Sequence, residues 1–304
     1  MIHQLDFNGI DKVEKAIKRL QLYEPPEGYW LCFSGGKDSI VIKALADMAN
    51  VKYDAHYRVT TVDPPELVRF IKKEYPEVEF DYPRDKDGNR ISMWTLIPKK
   101  KLPPTRMARY CCAVLKESGG GGRLKITGVR WAESPRRKKS HGEATIMSKK
   151  AKEIAEDLYA DLSYKVTPQG GIALPLDNRE NAQMVEQCYR TRQTTINPII
   201  DWTDAEVWEF IHEYNVPYCE LYDQGYTRLG CIGCPLAGTK MQKQEFEQYP
   251  KYKHLYLLAF EKLLKVLDDA NLRTTWNSAQ DIMDWWLDDE AKDKEIIETE
   301  ILGL

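Results

Sequence analysis

Ser34-Gly35-Gly36-Lys37-Asp38-Ser39 sets two glycines, a lysine and a carboxylate between an apolar strand-like run at 28–33 and a helix-like run at 40–48. A glycine-rich turn in that position aims unpaired backbone N–H groups, and the positive end of a helix dipole, at an anion. Gly35 and Gly36 let the backbone approach a phosphate, Lys37 adds a point charge on an exposed loop, and Asp38 is suited to a metal riding on the phosphates. The spacing is not the Walker pattern, which needs four residues between its first Gly and its Gly-Lys, so the common GTPase and ATPase folds are disfavoured.

Thiols form the second constellation. Cys231 and Cys234 bracket Gly233 and precede Pro235. Such a pair suits half a zinc site, a redox couple or half an iron–sulfur site. The tandem Cys111-Cys112 offers two further thiolates and is a strained choice for a mutual disulfide. Four soft ligands with no histidine close by fit tetrahedral zinc or a four-iron four-sulfur (4Fe-4S) cluster. Seven cysteines cannot pair completely, and Met1-Ile-His-Gln-Leu-Asp lacks a signal-peptide pattern, so metals and free thiolates are expected over disulfides. Cys32 reads as core, while Cys188 and Cys219 are single thiols without an assigned role.

These residues need elements to position them. Strand-like runs fall at 29–33, 55–62, 78–82 and 124–129, with helical runs at 40–49, 66–75 and 106–116 between them. That alternation predicts an α/β, doubly wound, mostly parallel sheet with ligands at the carboxyl ends of its strands. Arg130 follows the fourth run, where its guanidinium can fork onto phosphate or sulfate oxygens, and Gly128 sits just before it. Pro25-Pro26 separates an N-terminal helix (1–24) from the α/β domain (25–200). A polar, basic stretch at 134–189 reads as an insertion, and Gly119 to Gly122 as a flexible connector. Helices dominate from 201 to 304, at 204–214, 245–267 and 279–286, the first with a Thr203/Glu206 capping box. Trp94, Trp131, Trp202, Trp285 and Trp286 read as core or interface.

With 42% hydrophobic residues the chain can bury a core, and no apolar run reaches membrane-spanning length, so a soluble, cytoplasmic protein with no membrane partner is expected. A net charge of −3 does not announce a nucleic-acid binder. The basic clusters 99–101, 136–139 and 149–152, set against an acidic tail at 284–300, keep polyanion binding open, with DNA or tRNA as the candidate polymers.

The hexapeptide resembles the PP-loop of the adenine-nucleotide α-hydrolase superfamily. Tyr110-Cys111-Cys112, Thr127 to Ser134, Asn197 to Thr203, Leu221 to Tyr226 and Gly230 to Pro235 follow in an order that resembles the phosphoadenosine phosphosulfate reductase family, from about Gly28 to Leu236. The resemblance implies an adenine-nucleotide α-hydrolase-like fold with a C-terminal helical region. It further implies a 4Fe-4S cluster on Cys111, Cys112, Cys231 and Cys234, beside the nucleotide, in preference to zinc. Ser34 to Ser39, Gly128 and Arg130 would meet the nucleotide's anionic end, with Lys37, Asp38 and Arg130 catalytic. The turn at Thr61 and Asp63 would meet adenosine, although Val62 and two prolines depart from the usual Asp-Thr-Gly.

Two departures bear on activity. Sulfonucleotide reductases carry a nucleophilic cysteine on a C-terminal tail, whereas the last cysteine here is Cys234. Their phosphate loop is also altered, whereas this one keeps the complete Ser-Gly-Gly-Lys-Asp-Ser, as ATP-cleaving relatives such as the PP-loop enzyme of DNA phosphorothioation do. The expectation is an ATP pyrophosphatase using Mg2+, adenylating an acceptor in sulfur transfer with a sulfur-donor protein. The runner-up is a sulfonucleotide reductase using Cys188, Cys219 or a partner's thiol, and the third reading is a non-catalytic sensor subunit. The sequence leaves open whether the chain forms a homo-oligomer.

Overall fold

The computed structural model describes residues 1–5, 9–158, 162–272 and 274–288. The tail beyond residue 288 lies outside the described residues, as do positions 6–8 of the expected N-terminal helix. In chain order the elements begin α1 (Lys12–Leu22), β1 (Tyr29–Phe33), α2 (Lys37–Ala49), β2 (Tyr53–Arg58), α3 (Pro65–Glu74), β3 (Glu79–Asp81), α4 (Met93–Lys100) and β4 (Lys125–Ile126). They continue α5 (Pro135–Ser140), β5 (Ala144–Met147), α6 (Ala151–Leu158), β6 (Lys165–Val166), β7 (Ile172–Leu174), α7 (Arg179–Cys188) and β8 (Gln193–Ile196). The helices α8 (Asp204–Glu213), α9 (Thr239–Gln248), α10 (Pro250–Asp269) and α11 (Ala279–Trp286) complete the described chain.

Two compact units form, both discontinuous in sequence. The first takes Met1–Tyr57, Glu66–Phe80 and Gly120–Leu229, and the second takes Arg58–Pro65, Asp81–Gly119 and Gly230–Leu304. This partition differs from sequential domains cut at 24/25 and 200/201, because each unit closes its core with segments distant in sequence.

The first unit is built on a sheet of order β3-β2-β1-β4-β8-β5-β7-β6. β1 pairs in parallel with β2 and β4, and β4 with β8. Its sequence Tyr-Trp-Leu-Cys-Phe is apolar throughout, as a strand covered on both faces requires, and Tyr29 and Leu31 are fully buried. The chain runs from β1 through β2 to β3 on one side and returns to β4 on the other, so the order reverses between β1 and β4. That reversal makes a crevice at the carboxyl ends of those two strands.

The stretch at 134–189 is not merely a polar insertion. It supplies β5, β6 and β7, which extend the sheet in antiparallel fashion from β8. Ala144 to Ile146 and Ile172 to Leu174 are buried runs too short to show alternation, so their strand character was masked by the polar residues between them.

The second unit is helical. Tyr256, Ala259, Phe260, Leu263 and Leu267 form the buried stripe of α10 and share a core with Leu96, Ile97, Leu115, Ile232, Phe246 and Trp286. The helix expected at 106–116 reduces to one wide turn, Cys112–Lys116. In its place α4 forms upstream, started by the reciprocal Ser92/Thr95 capping box. The expected helix 245–267 is broken at Tyr249, because Pro250 has no N–H to continue α9 and instead opens α10. No helix among the described residues is long and apolar enough to cross a membrane.

Candidate functional site

β1 ends at Phe33 and α2 begins at Lys37, so Ser34, Gly35 and Gly36 form the turn at the crevice. Gly35 holds φ +73°, and a Cβ there would lie 2.7 Å from Leu67 and 2.8 Å from Ile71 of α3. The turn is braced by Ser39, whose Oγ donates to the Gly36 carbonyl at 2.8 Å and accepts the Ser34 N–H at 3.1 Å. Gly36 caps α2 without a side-chain bond. Among the described residues, the N–H groups of Gly35 and Asp38 have no partner, while that of Lys37 donates to Tyr222 Oη at 2.8 Å. Unsatisfied donors at a helix N-terminus are what an anion seeks.

Lys37 is not on an exposed loop. It opens α2, is only 6% exposed, and its ammonium donates to the Thr227 carbonyl at 3.0 Å and pairs with Asp204 Oδ1 at 3.2 Å. The segment carrying Tyr222 and Thr227 closes over the turn, which sequence order alone does not reveal.

Arg130 is 2% exposed. Its Nε donates to Asp38 Oδ1 at 2.6 Å, one terminal nitrogen to Asp204 Oδ1 at 2.9 Å, and the other to the Trp202 carbonyl at 3.2 Å. One Asp204 oxygen therefore faces both buried cations, and Asp204 is the most exposed member of the quartet, at 62% against 25% for Asp38. Burial pushes the Asp38 carboxyl above its ordinary range, against the pull of Arg130 and Lys37. Burial likewise opposes the Arg130 charge, but Asp38 and Asp204 outweigh it. An incoming phosphate would compete with Asp204 for Lys37 and Arg130. Asp38 Oδ2 accepts no hydrogen bond among the described residues, so it and Asp204 offer the hard oxygen donors that Mg2+ prefers.

Gly128, two residues past β4, allows the chain to run against the start of α2. A Cβ there would sit 2.9 Å from Asp38 Cβ and 3.1 Å from its carbonyl. Gly128→Ala is therefore expected to cost about 1–3 kcal/mol, as overpacking does. Differential scanning calorimetry should show a transition several degrees lower, and an unchanged transition would contradict the close approach.

The four cysteines gather in the second unit. Cys111 and Cys112, adjacent in the chain, are electrostatically coupled, and Cys231 and Cys234 lie within electrostatic reach of Cys111. That coupling, with help from the Arg109 and Lys116 cations, holds Cys112 below the ordinary thiol range and pushes Cys111 up. Burial pushes Cys231 up to about 11, opposed chiefly by the charge of Lys116. Cations beside thiolates suit a group that is anionic when ligated. Among the described residues no three of these thiols lie within 4.8 Å of one another. A tetrahedral zinc, at about 2.3 Å per Zn–S bond, would set them roughly 3.8 Å apart. The donor set thus fits a 4Fe-4S cluster in chemistry, with charge-compensating residues in place.

The Cys231–Cys234 loop is clamped by residues the sequence reading missed. Glu245 Oε2 accepts the Gly233 N–H at 2.7 Å, and Gln242 donates to the Gly233 carbonyl at 3.0 Å. Tyr256 Oη donates to the Ile232 carbonyl at 3.0 Å. Their signal was faint: polar residues three apart on α9 read as a solvated face, yet both are buried. Thr61 and Asp63 also belong to this unit. Thr61, at φ +70°, accepts the Met93 N–H at 3.1 Å, and Asp63 accepts the Thr60 N–H at 3.1 Å. The expected nucleotide residues thus divide: Ser34 to Ser39, Gly128 and Arg130 come together in the first unit, and Thr61 and Asp63 lie in the other. Asp204 was missed because an acid opening a helix reads as a dipole partner.

Burial raises the Glu245 carboxyl to about 7. The native state then binds the proton more tightly than the unfolded chain, whose Glu titrates near 4.5. Stability should fall as pH rises from about 4.5 to about 7, by at most about 3 kcal/mol. Urea titrations across that window should show the slope in wild type and its loss in Glu245→Gln. The same slope in the variant would assign it elsewhere.

Residues 28–237 match the family model of the phosphoadenosine phosphosulfate reductase domain. An uncharacterized protein of Methanocaldococcus jannaschii is 27% identical over 257 residues, which cover 80% of this chain and 50% of that protein. Adenosine 5'-phosphosulfate reductases of Bacillus cytotoxicus and Oceanobacillus iheyensis are 37% identical over 60 residues and 39% over 57. Those stretches cover 20% and 19% of this chain but only 26% and 24% of the two reductases. The chain therefore matches about half the length of the archaeal relative and about a quarter of the two bacterial ones. A solved phosphoadenylyl-sulfate reductase from Candida auris, in a phosphate complex, aligns at TM-score 0.40 and 18% identity over 72% of this chain and 87% of that one.

Proposed function

Because the chain belongs to the phosphoadenosine phosphosulfate reductase domain family, we propose that it cleaves ATP between the α- and β-phosphates and adenylates an acceptor in sulfur transfer. The observation that carries this reading is the Ser34–Ser39 turn with two nearly buried cations, Lys37 and Arg130, beside unsatisfied N–H donors. A diphosphate uses all of these groups, whereas a single compact anion uses fewer.

An acceptor oxygen attacks the α-phosphorus, the bond to the bridging oxygen breaks, and pyrophosphate leaves with the electron pair. Lys37 and the N–H groups of Gly35 and Asp38 offset the charge that develops on the leaving group, while Arg130 orients the phosphates. A sulfide-level nucleophile from a donor protein then bonds to the adenylated atom of the acceptor, and AMP leaves with the electron pair of the broken bond to oxygen. Mg2+ held by Asp38 and Asp204 would neutralise phosphate charge. A 4Fe-4S cluster held by Cys111, Cys112, Cys231 and Cys234 would supply electron transfer. The setting is cytoplasmic, the acceptor is nucleic acid (DNA or tRNA), and the active form is a homo-oligomer or a monomer.

A second reading, sulfonucleotide reduction, draws on the bacterial relatives' names. Cys188 and Cys219 are each fully buried with thiols pushed up by burial, so that reading depends on a partner's thiol. Anaerobic protein supplied with α-labelled MgATP, candidate acceptors and a sulfur donor should release labelled AMP, with pyrophosphate as co-product. Thioredoxin-dependent sulfite from adenosine phosphosulfate, without AMP from ATP, would replace the first reading with the second.

A further inference from the structure

A pocket of about 150 Å³ opens in the first unit, lined by Trp131, Lys138, His141, Lys165, Ala173 and Pro175. A cavity of about that size holds one benzene-sized ring. Trp131, read from the sequence as core or interface, is half-buried and fixed at the wall: Nε1 donates to the His141 carbonyl at 2.8 Å and its backbone N–H to the Ile200 carbonyl at 2.8 Å. Ala173 and Pro175 complete the apolar wall. Burial and Arg137 keep the His141 pKa low, so the cationic charge at the lining comes from Lys138 and Lys165. Both are exposed, and neither pairs with a carboxylate among the described residues. Arg136, Lys139, Lys149 and Lys150, also exposed, add to the field on the elements that frame the pocket.

An apolar ligand would leave the lysines unused, and a bare anion would leave the indole unused. A flat ring that carries phosphate uses both. We propose that this pocket is a second nucleotide-unit site, stacking a base on Trp131 and placing its phosphate on Lys138 and Lys165. Trp131 immediately follows Arg130, which holds the phosphate loop through Asp38. The pocket is thereby assigned to the acceptor, an assignment that rests on the adenylation reading; the binding itself does not. The unit is either a free nucleotide or one within a single strand.

The test uses the full chain, prepared anaerobically, and anisotropy of a labelled oligodeoxyadenylate. In Lys138→Gln/Lys165→Gln, affinity should fall about tenfold at low salt, and the slope of log K against log salt should shrink by about 0.7 per lysine. Trp131→Leu should lose about tenfold and Trp131→Phe should recover most of it. Lys37→Ala should keep strand binding while losing ATP. In that background, competition by AMP identifies a free nucleotide as a source, and its failure confines the site to the polymer. Unchanged affinity and slope in the double lysine variant would overturn the proposal. ATP binding retained in Lys37→Ala would instead sink the phosphate-loop reading and leave the pocket standing.

Discussion

Lys37→Ala is expected to reduce pyrophosphate release by at least about a hundredfold, in line with removal of a preorganised charge stabiliser, and to weaken MgATP binding. The ammonium sits at the start of α2 within 3.2 Å of the carboxylate it would exchange for phosphate. Its burial means that little water screens it. Stability should change less than activity. Asp204 keeps Arg130 as a partner and remains largely exposed, so the truncation leaves no buried, unpaired charge. Rapid-quench measurement of pyrophosphate alongside a thermal melt checks both halves. Normal turnover, or a variant that fails to fold, would contradict the role assigned to Lys37.

Cys231→Ser is expected to remove the metal centre altogether. Wild-type protein purified without oxygen should be brown and carry about four iron and four sulfide per chain. The variant should be colourless, and its thermal transition should drop because a group bound only by the folded chain no longer contributes. The effect should exceed that of altering Cys188, which is buried in the first unit and apart from the thiol quartet in sequence and unit. Iron and sulfide assays with visible absorption decide the matter. Colourless wild-type protein with stoichiometric zinc and no iron would end the cluster reading.

The order β1–turn–α2 was legible because a strand covered on both faces, a glycine turn and a helix start leave three independent signals within about twenty residues. Thr203 and Glu206 marked the start of α8 for the same reason, and the reciprocal cap is present at 2.7 and 3.3 Å. Contacts between distant segments were not legible. Nothing local tells that Tyr222 meets the backbone of Lys37, or that one Asp204 oxygen serves both cations. The cysteine quartet was found by residue type, while its clamp from Gln242 and Glu245 required knowing that α9 turns a polar face inward. The strands of 134–189 were hidden because buried runs of three or four residues carry no periodicity.

The phosphate loop's preference for a diphosphate is the centre of the account, and calorimetric titration of one anaerobic preparation with two nucleotides tests it most directly. MgATP should bind more tightly than adenosine phosphosulfate, and Lys37→Ala should erase most of that difference. Tighter binding of adenosine phosphosulfate, with MgATP affinity indifferent to Lys37, would contradict the account.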